Sequence, residues 1–599
     1  MSQNVGDFVI ERLHDWGIDI LFGYSGDGIN GTLAALQRAN HGKAEGMIKF
    51  VQVRHEEMAA FMATAYAKFT GRVGACIATG GPGATHFLTG LYDAKMDHVP
   101  VVAITGQAAR SVRGAHYQQE LNLDRVFADV AVYVHEPAVP AQVRHVVDHA
   151  VRSAIAHNGV GVIVLPNDLQ LETMEQPPRE HNYTRSSVGY VRPRIVPYDA
   201  DLQRAADVLN AGDRVAILVG AGAIGAADEV IAVADLLGAG VAKALLGKTA
   251  LPDDLPFVTG PIGLLGTAPS SDMMDGCDTL LMIGTSFPWA EFLPKDGQAR
   301  AVQIDLSADS LGLRYPTEVN LHGDAAETLR ALLPLLEHKA GRGWRDKIEA
   351  AMVDWWKLME QRAMAAASPV NPQRVVWEMS PRLGPDAIVT SDSGSCANWF
   401  ARDYRVKRGQ MASLSGGLAS MGAAVPYAIA AKFAHPSRPV IALVGDGAMQ
   451  MNNMAELITV AKYWREWTTP TWICCVFNNE DLNQVTWEQR IMIGSPKFDA
   501  TQDLPNVAYH KFAEMIGLKG IYVDDPADLG AAWDAALAAD VPTVIEVKTD
   551  PEVPPLPPHI SFEAARKFMT TLAKGDSSEG RLIVESTRQL FAPFLTQGS

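Results

Sequence analysis

The chain has 599 residues, with 51 Lys and Arg against 68 Asp and Glu, and therefore a formal net charge of -17. No basic stretch concentrates the positive field that nucleic-acid phosphates require, so the charge excludes a main function in DNA or RNA binding. Five cysteines without a CxxC pair, no apolar run of the roughly 18 residues that span a membrane, and no signal-peptide pattern predict a cytoplasmic protein without a zinc site.

Short apolar runs rich in β-branched residues alternate with helical periodicity along the whole chain. Runs of this kind that end in glycine or polar residues are typical of strands buried on both faces of a parallel sheet. They occupy residues 159–166, 214–220, 279–284, 439–447 and 472–479. We therefore predict an α/β fold built from doubly wound parallel sheets.

Two stretches read as linkers between compact units: the Pro- and Arg-rich residues 174–197 and the charged, helical residues 337–367. They divide the chain into predicted domains over residues 1–180, 195–340 and 365–550, followed by a tail over 551–599. The tail carries an amphipathic patch whose apolar members are Leu582, Ile583, Leu590, Phe591, Phe594 and Leu595. Such a patch favours either docking on the protein body or contact with a membrane surface.

The first domain contains an amphipathic helix and a glycine-rich loop. The helical spacing is carried by Met58, Phe61, Met62, Ala65, Tyr66 and Phe69. Glu56 comes just before this helix, where a carboxylate is a favourable first-turn charge. The glycine-rich segment 79–107 follows the strand at 75–79 and includes His86; its glycines allow the backbone to approach a ligand closely.

The middle domain has a glycine-rich turn after its first strand, at residues 220–225, and a GTSFPW segment at 284–289. A glycine-rich strand-to-helix turn is by itself a weak indication of a nucleotide site, since such turns are common in α/β folds. Asp305 ends another predicted strand, where a carboxylate is suited to a ribose or adenosine hydroxyl.

In the third domain, two neighbouring predicted strands end in polar residues. Gly445 and Gly447 flank Asp446 after the first of them, and Asn478 and Asn479 end the second. The turn and following helix present free backbone N–H groups to a diphosphate, and hard oxygen ligands beside it suit Mg²⁺ or Ca²⁺. The predicted buried face of that helix consists of Met451, Met454, Ala455, Ile458 and Ala461.

The GDG turn followed by the NN pair resembles the thiamine-diphosphate motif of the pyruvate oxidase and acetohydroxyacid synthase family. The resemblance implies that Asp446, Asn479 and the backbone carbonyl of Asp481 ligate Mg²⁺. It also implies that Glu56, in an RHE sequence like that of the family, contacts the aminopyrimidine ring, and that Met421 holds the cofactor bent. The middle segments resemble the FAD-binding domain of pyruvate oxidases, so the order is pyrimidine, flavin and diphosphate domain.

The same resemblance implies a set of site residues. The implied catalytic residues are Glu56, His86, Gln118 and Gln484. The implied contacts to thiamine diphosphate are Ser395, Ala419, Ser420, Met421, Gly445, Asp446, Gly447, Ala448, Asn479, Leu482 and Val485. The implied contacts to FAD are Gly220, Gly222, Ile262, Gly263, Leu264, Gly284, Thr285, Ser286, Phe287, Pro288, Ile304, Asp305 and Asp324.

For function, the resemblance implies oxidative decarboxylation of pyruvate or a related 2-keto acid, with electrons passed to quinone or oxygen. It further implies a homo-oligomer, at minimum a dimer and more specifically a tetramer, in which Glu56 serves a cofactor held by a neighbouring chain. A C-terminal contact with the inner face of the membrane is part of the same expectation.

One departure keeps an alternative open. Oxidases of the family tend to carry Gly-Phe after the NN pair, whereas this chain has Asn483 and Gln484, followed by Val485 and Trp487, which also echo the synthases. The alternative is an acetolactate-synthase-like carboligase or lyase in which FAD is structural. A non-catalytic cofactor-binding protein is a third hypothesis, which the joint presence of Glu56, Asp446 and Asn479 disfavours.

Overall fold

A computed structural model of the chain describes residues 3–41, 46–174 and 184–555, together with residues 566–568, 570, 571, 574, 576 and 580. These residues form three six-stranded sheets in which every strand pair is parallel. The predicted α/β class with three doubly wound sheets is confirmed. The amphipathic patch predicted between residues 582 and 595 lies outside the described residues.

The strands follow the apolar runs of the sequence. In chain order they are β1 Ile20–Gly23, β2 Lys49–Gln52, β3 Gly74–Ala78, β4 Val101–Gln107, β5 Ala131–His135, β6 Val160–Pro166, β7 Val215–Val219, β8 Gly240–Lys243, β9 Val258–Pro261, β10 Thr279–Ile283, β11 Arg300–Asp305, β12 Val319–His322, β13 Ile388–Ser391, β14 Met411–Ser413, β15 Val440–Gly445, β16 Trp472–Asn478, β17 Lys519–Val523 and β18 Thr543–Lys548. The central strands of each sheet are buried on both faces, because helices cover both.

The α-helices alternate with these strands. They are α1 Val5–Asp15, α2 Asn30–Asn40, α3 Glu56–Thr70, α4 Pro82–His86, α5 Leu88–Met96, α6 Leu123–Val126, α7 Pro140–His157, α8 Asp199–Ala211, α9 Ala227–Leu237, α10 Ala268–Gly276, α11 Ala325–Leu332, α12 Gly343–Met364, α13 Pro372–Arg382, α14 Ser395–Arg402, α15 Ala424–Ala434, α16 Asp446–Ala448, α17 Met454–Tyr463, α18 Asn483–Glu488, α19 Asp499–Gln502, α20 Tyr509–Met515 and α21 Leu529–Leu537. A π-helical turn, Met449–Asn453, joins α16 to α17.

The first and third sheets have the same topology. Their strand orders are β2-β1-β3-β4-β6-β5 and β14-β13-β15-β16-β18-β17. The middle sheet, read from its other edge, has the order β9-β8-β7-β10-β11-β12. That order is the one of doubly wound dinucleotide-binding folds. In open parallel sheets, ligands bind outside the carboxyl ends of the strands where the chain order reverses. These points lie between β1 and β3, between β7 and β10, and between β13 and β15.

The largest core cluster joins the first and third domains. Helix α3 packs against α15, with the rings of Phe61 and Tyr427 in edge contact at 6.4 Å between centroids. Lys68 of α3 donates to Asp97 at 2.5 Å and to the Tyr427 hydroxyl at 2.8 Å. Asp97 also accepts from the backbone N–H of Gly417 at 2.6 Å, so an ion pair of the first domain holds a loop of the third.

The predicted second linker is in large part a helix packed on the middle domain. Within α12, Arg345 is buried and donates to the backbone carbonyls of Ala234 and Ala239 at 3.1 and 2.8 Å. The domain boundaries drawn from the sequence stay a prediction. Within the described residues, no helix is both long enough and apolar enough to cross a membrane.

Candidate active site

The first part of the site is the N-terminus of α3. This helix begins at Glu56 itself, whereas the sequence pattern placed Glu56 just before it. His55 is the N-cap residue, and its Nδ1 accepts a hydrogen bond from the Glu57 N–H at 3.3 Å. The Glu56 side chain is largely buried at the positive end of the helix dipole, which favours its negative charge.

The structure brings His86 to Glu56. His86 ends α4, and its Nδ1 lies 2.9 Å from Glu56 Oε2. The imidazole rings of His55 and His86 are 4.4 Å apart, on the same side of the carboxylate. The glycine-rich loop makes this approach feasible, because Gly81 takes a positive φ of 57° and Gly83 lies close to the Glu56 carboxylate. The two predicted catalytic residues of this region therefore form one hydrogen-bonded pair.

The third predicted catalytic residue of the first domain, Gln118, is exposed. It lies in an exposed stretch beside Tyr117 and forms no side-chain hydrogen bond among the described residues. Its neighbour Gln119 instead packs against the Gly81 turn, where a Cβ added to Gly81 would lie 2.7 Å from Gln119 Cβ. A catalytic role for Gln118 stays a prediction.

The second part of the site is the turn between β15 and α16. Asp446 is buried, and its carboxylate accepts three backbone hydrogen bonds: from Gly447 at 2.9 Å, Asn479 at 2.9 Å and Glu480 at 2.6 Å. Burial raises the pKa of Asp446 to about 7, against the lowering effect of these donors. Among the described residues, no lysine or arginine forms an ion pair with this carboxylate.

The two asparagines that end β16 have different environments. Asn478 is buried, and its side chain donates to Glu546 of β18 at 2.7 Å, so its carboxamide is bound within the sheet. Asn479 is half-buried on the side of Asp446, and its Oδ1 accepts from the Asp481 N–H at 3.0 Å. The Asp481 carboxylate accepts from the Thr486 hydroxyl at 2.9 Å. These contacts are compatible with Asn479 offering its side chain, and Asp481 its carbonyl, to a cation.

The loop with the predicted thiamine contacts Ala419, Ser420 and Met421 lies next to this turn. A Cβ added to Gly447 would lie 2.7 Å from Leu482 and 3.2 Å from Met421 Cε, so these three residues surround one space. Ala419 takes a positive φ of 55°, and the Ser420 N–H is bound by a neighbouring serine hydroxyl. The loop thus has a defined and locally strained conformation before α15.

Asp392 holds that loop, although the sequence analysis did not name it. It follows β13, is fully buried, and accepts from the backbone N–H of Gly422 at 2.7 Å and from Asn453 Nδ2 at 2.7 Å. Burial raises the pKa of Asp392 to about 6. Its position at the end of the strand next to β15 was the signal that would have identified it.

Helix α14 and helix α18 complete the third-domain part. Ser395 begins α14 after Gly394, whose φ is 103°. Gln484 in α18 accepts from Asn398 Nδ2 at 2.8 Å and donates to Glu488 at 2.9 Å, which fixes its carboxamide. Val485 is exposed beside it.

In the middle domain, the loops that follow β7 and β10 contact each other through glycines at the carboxyl ends of these strands. We call this contact, of Gly220 and Gly222 with Gly284, the glycine crossing. The Gly222 N–H donates to the Gly284 carbonyl at 3.0 Å. A Cβ added to Gly222 would lie 2.8 Å from Gly284 Cα, and one added to Gly220 would lie 2.7 Å from Thr285 Cβ. Only glycine fits these positions, and the N–H groups of Gly220 and Gly222 donate to the carbonyls of Ile283 and Gly284.

The remaining predicted flavin residues border this crossing. Ile262 is buried, while the adjacent Gly263 takes a φ of 97° and lies against Phe287. Ser286 and Pro288 are exposed at the same edge. The segment therefore alternates anchoring and exposed positions, as a binding loop requires.

Two of the predicted flavin residues have other tasks in the structure. Ile304 is in the core, where its carbonyl accepts from the Gly284 N–H at 2.8 Å, and Asp324 is the N-cap of α11, accepting from Glu327 N at 3.0 Å. Asp305 remains half-buried at the end of β11, and burial raises its pKa. Contacts of Ile304, Asp305 and Asp324 with FAD stay predictions.

Three family models match the chain. They are the N-terminal TPP binding domain of thiamine pyrophosphate enzymes over residues 3–126, the central domain over 202–332 and the C-terminal TPP binding domain over 392–547. This chain belongs to the thiamine pyrophosphate enzyme family. The first and third domains, which share one topology, are thus the two thiamine diphosphate binding domains of a thiamine-diphosphate-dependent enzyme.

Relatives place the chain within this family. YdaP of Bacillus subtilis, whose name refers to thiamine pyrophosphate, is 36% identical over 572 residues, 96% of each chain. A pyruvate oxidase of Lactiplantibacillus plantarum is 32% identical over 460 residues, 76% of this chain and 75% of the relative. An acetolactate synthase large subunit of Parasynechococcus marenigrum is 29% identical over 554 residues, 90% and 86% of the two chains.

Within one chain of this thiamine pyrophosphate enzyme, the first and third domains also touch at the residues that precede α3. In the described residues, no hydrogen bond or ion pair joins Glu56 to Asp446. Instead, buried Glu456 of α17 accepts from the Arg54 N–H at 2.6 Å, just before α3. The interface within the chain therefore positions the start of α3.

Glu456 gives this interface a pH dependence. Burial raises the pKa of Glu456 from 4.5 to about 7, although the hydrogen bond from Arg54 opposes the shift. Between about pH 4.5 and 7 the folded state holds a proton that the unfolded chain has released, so the contribution to stability is lost as the pH rises. Glu456→Gln lacks this titration. The difference in melting temperature between this variant and the wild type should therefore be about 5 °C more in favour of the variant at pH 8 than at pH 5. Equal shifts for both proteins in differential scanning calorimetry would contradict this.

Proposed function

We propose that this enzyme oxidatively decarboxylates pyruvate, or a related 2-keto acid, using thiamine diphosphate, Mg²⁺ and FAD, and passes the electrons to quinone or oxygen. The observation that carries the proposal is the middle domain. It combines the dinucleotide-type strand order with a glycine crossing at the point where that order reverses. The pyruvate oxidase among the relatives supports the same assignment.

The residues around Asp446 suit Mg²⁺. The donor set consists of a buried carboxylate, a carboxamide and a backbone carbonyl, all hard oxygen ligands. A buried carboxylate without a cationic side chain beside it is costly unless a cation neutralises it. Asp446, Asn479 and the carbonyl of Asp481 would hold the ion next to the diphosphate.

When bound, thiamine diphosphate supplies the nucleophilic carbon that attacks the keto group of the substrate. The chain's own task is to move a proton to and from the aminopyrimidine ring. Glu56 is placed for this, because its carboxylate is largely buried and stays free of any ion pair with lysine or arginine among the described residues. His86 holds the carboxylate through its Nδ1 and has its second ring nitrogen available for the substrate.

The flavin would be held by the middle domain. Gly220 and Gly222 allow the pyrophosphate to approach the backbone closely, while their own N–H groups donate to the carbonyls of Ile283 and Gly284, and Asp305 suits a ribose hydroxyl. FAD accepts two electrons, which matches the two electrons released when a 2-keto acid is oxidatively decarboxylated. Phe287 and Gly263 would define the depth of the binding cleft.

A homo-oligomer is part of the proposal, with a dimer as the minimum and a tetramer as the expected state. The apolar stripe of α17 and the preceding turn is not covered in the single chain: Met451 is 52% and Ile458 is 40% exposed, and Ala455 is exposed between them. This stripe borders the cofactor turn and suits a second copy that brings its Glu56 to Asp446. Light scattering of the purified protein tests the proposed oligomeric state, and an active monomer would contradict it.

The test of the proposed function is the flavin spectrum. Pyruvate added without oxygen should bleach the flavin absorbance of the purified protein at a rate close to turnover with a quinone acceptor. Replacing pyruvate with lactate, which has no keto group, is the control and should leave the spectrum unchanged. A flavin that stays oxidised with every 2-keto acid offered would overturn the proposal.

A second candidate function is carboligation of the acetolactate synthase type. Two observations favour it: Gln484 stands where oxidases carry an aromatic residue, and its carboxamide is fixed by Asn398 and Glu488. Acetolactate synthases also occur among the relatives. Acetolactate formed from pyruvate without an electron acceptor would establish this alternative, whereas its absence together with flavin reduction would support the oxidase.

The glycine crossing allows a selective prediction. Gly222→Ala places a methyl group 2.8 Å from Gly284 Cα. The backbone must shift, because the nearest atoms all belong to the main chain of Gly284. Overpacking of this kind costs about 1–3 kcal/mol, so FAD content should fall roughly tenfold or more while thiamine diphosphate binding is kept. The matched control is Gly341→Ala, since a Cβ there meets no atom within 4 Å. Cofactor content after gel filtration, measured by absorbance and chromatography, decides the outcome.

A further inference from the structure

Helix α14 connects the two proposed cofactor sites within one chain. Its first residue, Ser395, lies at the predicted diphosphate site, and its last residue, Arg402, faces the middle domain. Arg402 donates to the backbone carbonyl of Leu264 at 3.0 Å, in the predicted flavin loop 262–264. Lys248 of the middle domain donates to the Ala401 carbonyl at 3.0 Å, so the C-terminal end of α14 is anchored twice.

A continuous chain of hydrogen bonds runs from that loop to the thiamine side. Arg402 donates to Asn398 Oδ1 at 3.2 Å, and Asn398 donates to Gln484 Oε1 at 2.8 Å. Gln484 in turn donates to Glu488 at 2.9 Å. The chain thereby links Leu264 to the residue that stands where oxidases of the family have an aromatic ring between their cofactors.

Burial fixes the part of this chain that Asn398 and Arg402 form. Asn398 is 1% and Arg402 is 3% exposed, so water cannot replace a lost partner. Burial lowers the pKa of Arg402 to about 10, and the neighbouring Asp403 opposes the shift by supplying a buried negative charge. Leu264 follows Gly263, whose backbone lies against Phe287 and Trp289. A displacement of Arg402 is therefore passed to the lining of the flavin cleft.

We infer that Arg402 and Asn398 are positioning residues that couple the flavin loop 262–264 to Gln484 and so set the thiamine site relative to the flavin. The inference rests on the proposed function. It predicts that a change at Gln484, whose hydrogen bonds stay within the third domain, alters flavin affinity through Asn398 and Arg402. A simple tether between domains would stabilise the protein without transmitting such an effect.

The experiment measures flavin affinity of the full-length holoprotein from the fluorescence of FAD released on dilution. Asn398→Ala and Gln484→Ala are each expected to weaken FAD binding at least threefold, and Arg402→Gln about tenfold. In the Arg402→Gln background, Gln484→Ala should have no further effect, because the connection is already broken. Arg402→Lys keeps one donor for Leu264 and should restore affinity to within about threefold of the wild type.

One control variant separates coupling from loss of stability. Arg12→Gln removes a buried arginine that pairs with Asp148 in the first domain, and it should lower the melting temperature without changing FAD affinity. Should an Arg402 variant fail to fold, Asn398→Ala carries the test alone. Effects of Gln484→Ala that persist in the Arg402→Gln background, or unchanged FAD affinity in Asn398→Ala, would overturn the inference. A wild-type protein that binds no FAD would overturn the proposed function and this inference together, whereas bound FAD that pyruvate does not reduce would count against the proposed function alone.

Discussion

Glutamine in place of Glu56 is expected to lower the turnover number with pyruvate by a factor of about 10² to 10⁴, the usual contribution of a positioned general acid or base. The side chain keeps its size and can still accept from His86 or donate to it, but it can no longer take up a proton. Thiamine diphosphate affinity should change less than tenfold, because the proposed ligands of the diphosphate and its cation belong to the third domain. Steady-state kinetics at saturating cofactor, with affinity from tryptophan quenching, measures both quantities.

Glu57→Gln is the matched control for this variant. Glu57 occupies the same first turn of α3, but its carboxylate accepts from Asn452 at 3.3 Å on the side of α17. Its replacement alters the same helix-dipole interaction and should reduce turnover less than about threefold. If Glu56→Gln kept a third or more of the wild-type activity, Glu56 could not be the proton-transferring residue.

The second large effect is expected for Asp446→Asn, which should weaken Mg²⁺-dependent binding of thiamine diphosphate at least about 100-fold. Two causes add. The charge that a divalent cation requires is lost, and the carboxamide presents an NH₂ group to backbone N–H donors that now bind Asp446 at 2.6 to 2.9 Å. Calorimetric titration with cofactor at several Mg²⁺ concentrations is the measurement.

Asp481→Asn tests which group of Asp481 is a ligand at the same site. The Asp481 side chain is bound internally by Thr486 and Lys497, and the proposed ligand is its backbone carbonyl, which the substitution keeps. The apparent Mg²⁺ affinity should therefore change less than about fivefold. A loss as large as that of Asp446→Asn would show that the Asp481 carboxylate, not its carbonyl, is the ligand.

Much of the third domain could be predicted from local patterns. The apolar run before Asp446 and the run before Asn478 are strands β15 and β16, and they are neighbours in the sheet. Because parallel strands end at the same edge, the carboxylate and the carboxamide had to meet once the strands were identified. The distinction between Asn478 and Asn479 also follows, since alternate residues of a strand face opposite sides.

The buried face of the helix after Asp446 was predicted wrongly. Met451, Ala455 and Ile458 are exposed in the chain, whereas Asn453 and Glu456 are fully buried. The π-helical turn Met449–Asn453 changes the helical register. The polar residues are also buried because distant groups satisfy them: Asp392 accepts from Asn453, and Glu456 accepts from Arg54. No periodicity within the helix carries that information.

The amino-acid pattern identifies the three parallel α/β units, and it identifies the strand ends at or beside which Asp446, Asn479 and Asp305 lie. Strand burial and strand ends depend on residues close together in the chain, so a local pattern is sufficient to identify them. Three contacts could be identified only in the folded chain: His86 holds Glu56, Asp392 supports the Met421 loop, and Arg402 and Asn398 join the flavin loop to Gln484. Apart from the contact between Asn398 and Arg402 within α14, these contacts pair polar groups at least 30 residues apart in sequence, and the partner of each group is set by how the helices, strands and loops pack.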